Sequence, residues 1–141
     1  MGAANETGPA NHPLEGLRIL VVEDDFFIGL DLTAVLSAAG ATVVGPFQTV
    51  QSAQSAIASA GTAVFSAAIL DIRLASETVA PVARSLSDLH VPFLFYTGQA
   101  ACDPVAAEWR NSPVVSKPAP ASVLVRAVTL LVDRPTASSR G

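Results

Sequence analysis

The sequence predicts an α/β fold in which a parallel sheet of five strands carries helices on both faces. Short apolar runs alternate with helix-like patterns about five times along the chain, which is typical of this architecture. The 141 residues fit a single domain. Half of them are hydrophobic and only 14% are charged, so the chain can bury a core, yet no apolar stretch reaches the roughly 20 residues that cross a bilayer.

The first half of the chain contains three short apolar runs that suit strands buried on both faces of a parallel sheet. Two helices separate them. Asp25 stands at an N-cap position, and apolar residues recur at helical spacing from there to Gly40. Thr49 caps a second helix, rich in small residues, that runs to Gly61. The three predicted strands are residues 17–22, 42–44 and 67–70.

The second half continues the alternation with two more strands and three helices. The predicted elements are a helix over residues 77–89, a strand over 91–96, a short helix over 104–109, a strand over 114–115 and a final helix over 119–132. Residues 1–15 and 134–141 lack an apolar period, so we expect flexible tails on either side of a domain of residues 16–133.

The composition argues against several classes of partner. The net charge is −4 and the eight basic residues are scattered, whereas a nucleic-acid surface needs clustered Lys and Arg. No glycine-rich phosphate-binding loop is present, which disfavours a nucleotide or other small-molecule substrate site. The N-terminus has no secretory signal pattern, and a single cysteine allows no intrachain disulfide, so we expect a cytoplasmic protein without a membrane contact.

Polar side chains gather where the predicted strands end. The residues that follow the first, third, fourth and fifth strands are, in that order, Glu23 with Asp24, Asp71, Thr97 and Lys117. The carboxyl ends of parallel strands meet at one edge of a sheet, and ligands bind there. We therefore expect these five side chains to share one cleft.

Phosphoryl transfer to a carboxylate is the chemistry that fits this set of residues. Two carboxylates about 4 Å apart repel by about 4 kcal/mol at an effective dielectric constant of about 20. A hard divalent cation such as magnesium, which takes oxygen ligands, removes that repulsion. Asp71 can then act as the nucleophile toward phosphorus. Lys117 can pair with one phosphoryl oxygen, and the hydroxyl of Thr97 can donate to another.

Four short segments resemble those of response-regulator receiver domains, which act in two-component signalling. They are Val-Val-Glu-Asp at 21–24, Leu-Asp-Ile-Arg-Leu at 70–74, Phe-Tyr-Thr-Gly at 95–98 and Ser-Lys-Pro at 116–118. Their order and separations are similar to those of the family over about residues 16–133. The resemblance implies a doubly wound, flavodoxin-like receiver fold with strand order 2-1-3-4-5 and about five helices.

The resemblance also implies roles for individual residues. Asp71 would accept the phosphoryl group from a sensor histidine kinase, with Thr97 and Lys117 as its catalytic partners. The Lys117–Pro118 peptide bond is often cis in the family. The implied ligands of Mg²⁺ are Glu23, Asp24, Asp71 and the backbone carbonyl of Arg73.

A closer resemblance concerns residues 92–98, Pro-Phe-Leu-Phe-Tyr-Thr-Gly. They resemble the Phe-Ala-Thr-Gly subgroup of single-domain receivers from alphaproteobacteria, with Tyr96 in place of the usual alanine. This resemblance implies a kinase of the HWE or a related class as partner. Val114 occupies the position, three residues before the lysine, where many receivers carry a switching Tyr or Phe, so we expect no aromatic switch there.

Three functions are compatible with these residues. The first is a stand-alone phosphoacceptor that signals through protein–protein interaction, or serves as a phosphate sink or relay, and is not an enzyme toward other substrates. The second is an Asp-nucleophile phosphatase, which usually needs a second acid where this chain has Arg73. The third is an interaction module that works without phosphorylation. The wide apolar surface of the final helix favours a further contact, with either a kinase or a second copy of the chain.

Overall fold

The computed structural model describes residues 12–61, 64–98 and 103–133. The two predicted tails, residues 1–15 and 134–141, lie outside the described residues except for residues 12–15. In that short stretch Leu14 is fully buried, and its N–H donates a hydrogen bond to the carbonyl of Ala39 at 2.8 Å. The packed domain therefore begins before residue 16.

The strands of the described chain form one five-stranded sheet and one hairpin. They are β1 (Arg18–Val22), β2 (Thr42–Phe47), β3 (Ala67–Leu70), β4 (Arg73–Leu74), β5 (Glu77–Thr78), β6 (Phe93–Thr97) and β7 (Val114–Ser116). The main sheet is parallel throughout, with the order β2-β1-β3-β6-β7. This order confirms the predicted doubly wound topology, because β6 and β7 are the fourth and fifth strands of the sheet along the chain.

Five helices in the described residues flank the sheet. They are α1 (Phe26–Ala38), α2 (Val50–Ser59), α3 (Ala80–Asp88), α4 (Pro104–Glu108) and α5 (Ala121–Val132). Helices α1 and α5 contribute to the core on one face, and α2, α3 and α4 contribute to the core on the other. None of these described helices has the length and apolar character that a membrane span requires.

Two predicted caps fix the starts of α1 and α2. Asp25 Oδ1 accepts hydrogen bonds from the N–H groups of Phe27 and Ile28 at 2.9 and 3.1 Å. The Thr49 hydroxyl accepts from the Ser52 N–H at 3.1 Å as part of a reciprocal capping box. Each cap satisfies backbone donors that the first turn of a helix leaves unpaired.

Alternate residues of β6 pack into two cores on opposite faces of the sheet. Phe93 and Phe95 belong to the core beneath α2, α3 and α4, whereas Leu94 and Tyr96 belong to the core beneath α1 and α5. This alternation reflects the two-residue period of an extended strand. Because both faces are buried, the central strands are apolar and their polar neighbours lie at the strand ends.

The helix predicted over residues 77–89 is wrong at its start. Residues 73–78 form the β4–β5 hairpin instead, and α3 starts later. The hairpin turns through Ala75, whose φ of 54° is a left-handed value. Glu77 Oε2 accepts a hydrogen bond from the Val50 N–H, at the start of α2, at 3.0 Å. Glu77 is therefore used in a contact between the hairpin and α2 rather than in the first turn of a helix.

Gly45 allows β2 to approach β1 closely. Its φ is +110°, a value that glycine adopts readily and other residues adopt only with strain. A Cβ atom at this position would lie 2.6 Å from the carbonyl oxygen of Val21, which is closer than van der Waals contact. Gly61 also has a positive φ, +61°, yet a Cβ atom there would meet nothing within 4 Å. A side chain at Gly45 would therefore meet both a strained backbone and a steric overlap, whereas one at Gly61 would meet only a left-handed φ.

Replacing Gly45 with alanine should destabilise the domain more than replacing Gly61 with alanine. Both variants place alanine at a positive φ. The left-handed φ of Gly61 costs alanine about 1–2 kcal/mol, and the φ of +110° at Gly45 lies outside that region and costs more. Only Gly45→Ala also forces a Cβ atom against Val21, so we expect its total loss to be about 3 kcal/mol or more. Urea unfolding followed by circular dichroism gives the free energy of unfolding of each variant. Equal losses would contradict the steric role of Gly45.

Candidate functional site

The carboxyl ends of the parallel strands hold the polar residues predicted from the sequence. Backbone hydrogen bonds continue past the strand ends: the Asp71 N–H donates to Val22 O at 2.9 Å, and the Lys117 N–H donates to Thr97 O at 3.0 Å. Thr97 is the last residue of β6 and is 1% exposed. The backbone that carries the site is therefore fixed by the hydrogen-bond ladder of the sheet.

The ammonium group of Lys117 links two buried carboxylates. Its Nζ lies 2.8 Å from Asp71 Oδ2 and 2.8 Å from Glu23 Oε1. The side chain of Glu23 is 1% exposed, that of Asp71 is 9% exposed and that of Lys117 is 16% exposed. Contacts between charged groups are strong where water is largely excluded. The three side chains thus form one compact ionic unit at the sheet edge.

Asp24 completes an acidic cluster with Glu23 and Asp71. One carboxylate oxygen from each residue lies within 4.8 Å of those of the other two. Asp24 is partly exposed, and its Oδ2 accepts a hydrogen bond from the Ala75 N–H at 2.8 Å. The hairpin that follows Asp71 therefore helps to orient the third acid of the cluster.

The cluster fits a hard divalent cation. All three acids offer carboxylate oxygens, which Mg²⁺ prefers as ligands. Oε1 of Glu23 is buried, and its close polar contact in the described part of the chain is the Lys117 ammonium at 2.8 Å. Three carboxylates facing one ammonium also leave the pocket short of positive charge, which a divalent cation would supply.

The side chain of Arg73 contacts Asp103, a residue that the sequence does not mark as part of the site. Its Nη2 and Nε lie 2.9 and 3.1 Å from Asp103 Oδ2. Asp103 Oδ1 accepts from the Val105 N–H at 2.9 Å and caps α4. The Asp-Pro pair at 103–104 is a recognisable helix start, but the ion pair joins residues 30 positions apart and has no local signal. The metal-binding role of the Arg73 carbonyl stays a prediction.

Tyr96 contacts the loop that carries Lys117. Its hydroxyl accepts a hydrogen bond from the Ala119 N–H at 3.1 Å, and its ring centroid lies 5.8 Å from Lys117 Nζ. The Lys117–Pro118 peptide bond is cis, as the family resemblance implies. The sequence marks Tyr96 as a departure from the subgroup motif and as an aromatic residue that could replace the switch absent at Val114. It does not indicate the contact with Ala119, because the two residues lie 23 positions apart.

Solved structures with this fold match the chain over most of its length, although no protein-family model and no curated protein sequence matches it. A response regulator receiver protein from Sinorhizobium medicae is 26% identical, with a TM-score of 0.69, over 85% of this chain and 97% of that chain. SdrG from Sphingomonas melonis is 34% identical, with a TM-score of 0.69, over 81% of this chain and 96% of that chain. The chain belongs to the response-regulator receiver family.

A third structure supports the fold of this receiver. The receiver domain of HemR from Leptospira biflexa is 24% identical, with a TM-score of 0.71, and the match covers 84% of this chain and 98% of that one. These three matches each cover at least 81% of this chain, so the receiver fold accounts for most of its length.

Burial changes the acidity of the receiver's Glu23. Burial raises the pKa of its carboxyl group from 4.5 to about 7. Hydrogen bonds from Lys117 and from the Asp25 N–H act in the opposite direction and lower the pKa, whereas the neighbouring Asp71 raises it further. For Lys117, burial by itself lowers the pKa of the ammonium, but the contacts with Asp71 and Glu23 outweigh it and raise the pKa above 10.5. Near neutral pH and without a metal, Lys117 is therefore charged while Glu23 is partly protonated.

Magnesium affinity should fall as the pH is lowered below about 7. A metal ligand must be deprotonated, so Mg²⁺ has to displace the proton that Glu23 holds below its raised pKa. We expect the dissociation constant to rise by up to about tenfold per pH unit between about pH 7 and about pH 5 and to level off above about pH 8.

Isothermal titration calorimetry across this range, in buffers of different ionisation enthalpy, measures both the affinity and the proton released. The control variant Asp88→Asn removes an exposed carboxylate at the end of α3 and should keep the same pH profile. A magnesium affinity that does not vary with pH would contradict the assignment of Glu23 as a ligand.

Proposed function

We propose that this receiver accepts a phosphoryl group on Asp71 from a sensor histidine kinase, in the presence of Mg²⁺, and thereby changes its contacts with other proteins. One observation carries the proposal: the buried carboxylate of Asp71 is ion-paired with Lys117 inside a cluster that also contains Glu23 and Asp24. The proposed setting is the cytoplasm, where such kinases present their phosphohistidine. The resemblance of residues 92–98 to the Phe-Ala-Thr-Gly subgroup favours a kinase of the HWE or a related class.

The chemistry is a transfer between two nucleophiles. A carboxylate oxygen of Asp71 forms a bond to phosphorus while the bond from phosphorus to the donor histidine nitrogen breaks, and that nitrogen keeps the electron pair. Bound Mg²⁺ offsets charge on the phosphoryl oxygens. Lys117 supplies a point charge to one of these oxygens, and the Thr97 hydroxyl donates to another. The proposed metal ligands are Glu23, Asp24, Asp71 and the carbonyl of Arg73, with water completing the set.

Phosphorylation would disturb the ionic unit of Lys117, Glu23 and Asp71. It adds a charge of about −1.5 to −2 and three acceptor oxygens at Asp71. Lys117 and Thr97 belong to different strand ends, so a phosphoryl group that recruits both draws the end of β6 and the loop after β7 toward Asp71. We propose that partner proteins recognise this altered surface. The receiver then either signals through such contacts or passes the phosphoryl group on.

A phosphatase that turns over external substrates is disfavoured. Such an enzyme usually needs a second acid two residues after the nucleophile, and this receiver has Arg73 there, with its guanidinium paired to Asp103. An interaction module independent of phosphorylation would have no need for a buried carboxylate and lysine pair at Asp71 and Lys117, since burying charged groups costs free energy.

Incubation with a small phosphodonor and Mg²⁺ should give an adduct with the added mass of one phosphoryl group. Asp71→Asn should abolish it, because the amide is not a nucleophile of comparable strength, and removal of Mg²⁺ with a chelator should slow its formation by at least about tenfold. Intact-protein mass spectrometry measures the adduct, and hydroxylamine should release it as expected of an acyl phosphate. Asp88→Asn, which removes an exposed acid at the end of α3 that is not a member of the cluster, should be phosphorylated like the wild type.

Two results would refute the proposal. One is an adduct that persists in Asp71→Asn, and the other is a wild-type protein that forms none while it binds Mg²⁺. Rapid turnover of phosphate monoesters by the wild type would instead support the phosphatase.

A further inference from the structure

The loop after β7 is attached to the sheet through the last two residues of β6. Residues 117–120 have the sequence Lys-Pro-Ala-Pro, and proline has no N–H, so the loop contains two backbone donors. One is the Lys117 N–H, which donates to Thr97 O at 3.0 Å. The other is the Ala119 N–H, which donates to the hydroxyl oxygen of Tyr96 at 3.1 Å. A side chain on β6 therefore completes the hydrogen bonding of the loop that carries the lysine.

Tyr96 is well suited to fix this loop because its own position is fixed. The residue is 5% exposed and belongs to the core beneath α1 and α5, together with Leu124 and Val128. Its ring also lies 5.8 Å from Lys117 Nζ, within the range of a cation–π contact. The loop is thus held by Tyr96 at two points, at the ammonium of Lys117 and at the backbone two residues later.

Among the described residues, Tyr96 is the side chain that accepts the hydrogen bond of the Ala119 N–H. Val114, where an aromatic residue would stand in many receivers, pairs with Phe95 in the sheet and offers neither a ring nor a polar atom. The contacts that hold Lys117 and its loop therefore come from Tyr96 on β6 and not from Val114 on β7, the strand that precedes Lys117.

We propose that Tyr96 is a positioning residue that sets the Lys117 ammonium beside Asp71 and so strengthens binding of the phosphoryl group. This inference rests on the proposed function, in which Lys117 pairs with a phosphoryl oxygen. Removing the hydroxyl leaves the Ala119 N–H without its acceptor, and the loop and its lysine lose a restraint while the ring and its packing remain.

Beryllofluoride, which stands for the phosphoryl group on Asp71, is the probe that tests the inference. Its affinity is measured by fluorine NMR or calorimetry at saturating Mg²⁺ for the wild type, Tyr96→Phe and the control Thr129→Val. Thr129 donates a comparable, partly buried hydroxyl hydrogen bond to Val125 O at 2.8 Å in α5. We expect Tyr96→Phe to weaken beryllofluoride binding by about three- to tenfold and Thr129→Val to leave it unchanged.

A second readout separates positioning from a general structural effect. The proposed side-chain ligands of Mg²⁺ follow β1 and β3, so Tyr96→Phe should not weaken Mg²⁺ binding measured without beryllofluoride. Unchanged beryllofluoride affinity in Tyr96→Phe, or parallel weakening of both ligands, would overturn the inference while the wild type still binds beryllofluoride. A wild type that binds Mg²⁺ but no beryllofluoride would refute the proposed function and this inference with it.

Discussion

The ion pairs of Lys117 with Asp71 and Glu23 are the interaction on which the site depends. Two carboxylates this deeply buried would repel each other and would be costly to keep charged without a cation beside them. A single ammonium group cannot compensate the three acids of the cluster, and burial, with a smaller contribution from Asp71, raises the pKa of Glu23. The pocket is therefore held together without a metal and still has the charge and the oxygen ligands to attract one.

The parallel sheet explains how residues so distant in sequence meet. Apolar strands buried on both faces leave polar side chains for their carboxyl ends, and the parallel arrangement brings those ends to one edge. Two members of the site contact a neighbouring element that helps to orient them: Asp24 contacts the Ala75 N–H of the hairpin, and Lys117 contacts Tyr96. The pair of Arg73 and Asp103 joins the segment after Asp71 to the start of α4. Short contacts therefore connect the site and its neighbours to the hairpin, to the start of α4 and to the loop after β7.

Much of this arrangement could be predicted from the sequence, because strand ends and helix caps have local signals. The helix starts at Asp25 and Thr49 follow from such signals, whereas the strand order is implied only by the resemblance to receiver domains. The hairpin could not be predicted, because Ala75 adopts a left-handed φ that its residue type does not indicate, and Glu77 resembles an ordinary acid in the first turn of a helix. The contacts of Arg73 with Asp103 and of Tyr96 with Ala119 join residues 30 and 23 positions apart, where no periodic pattern links the partners.

The most direct test of the central claim is a crystal structure of the wild-type protein soaked in Mn²⁺, which suits an all-oxygen site and gives an anomalous signal. The structure predicts an anomalous peak in direct contact with the carboxylates of Glu23, Asp24 and Asp71, with the Lys117 ammonium still beside Asp71. An ion bound only elsewhere on the protein, or a Lys117 side chain directed away from Asp71, would contradict the account.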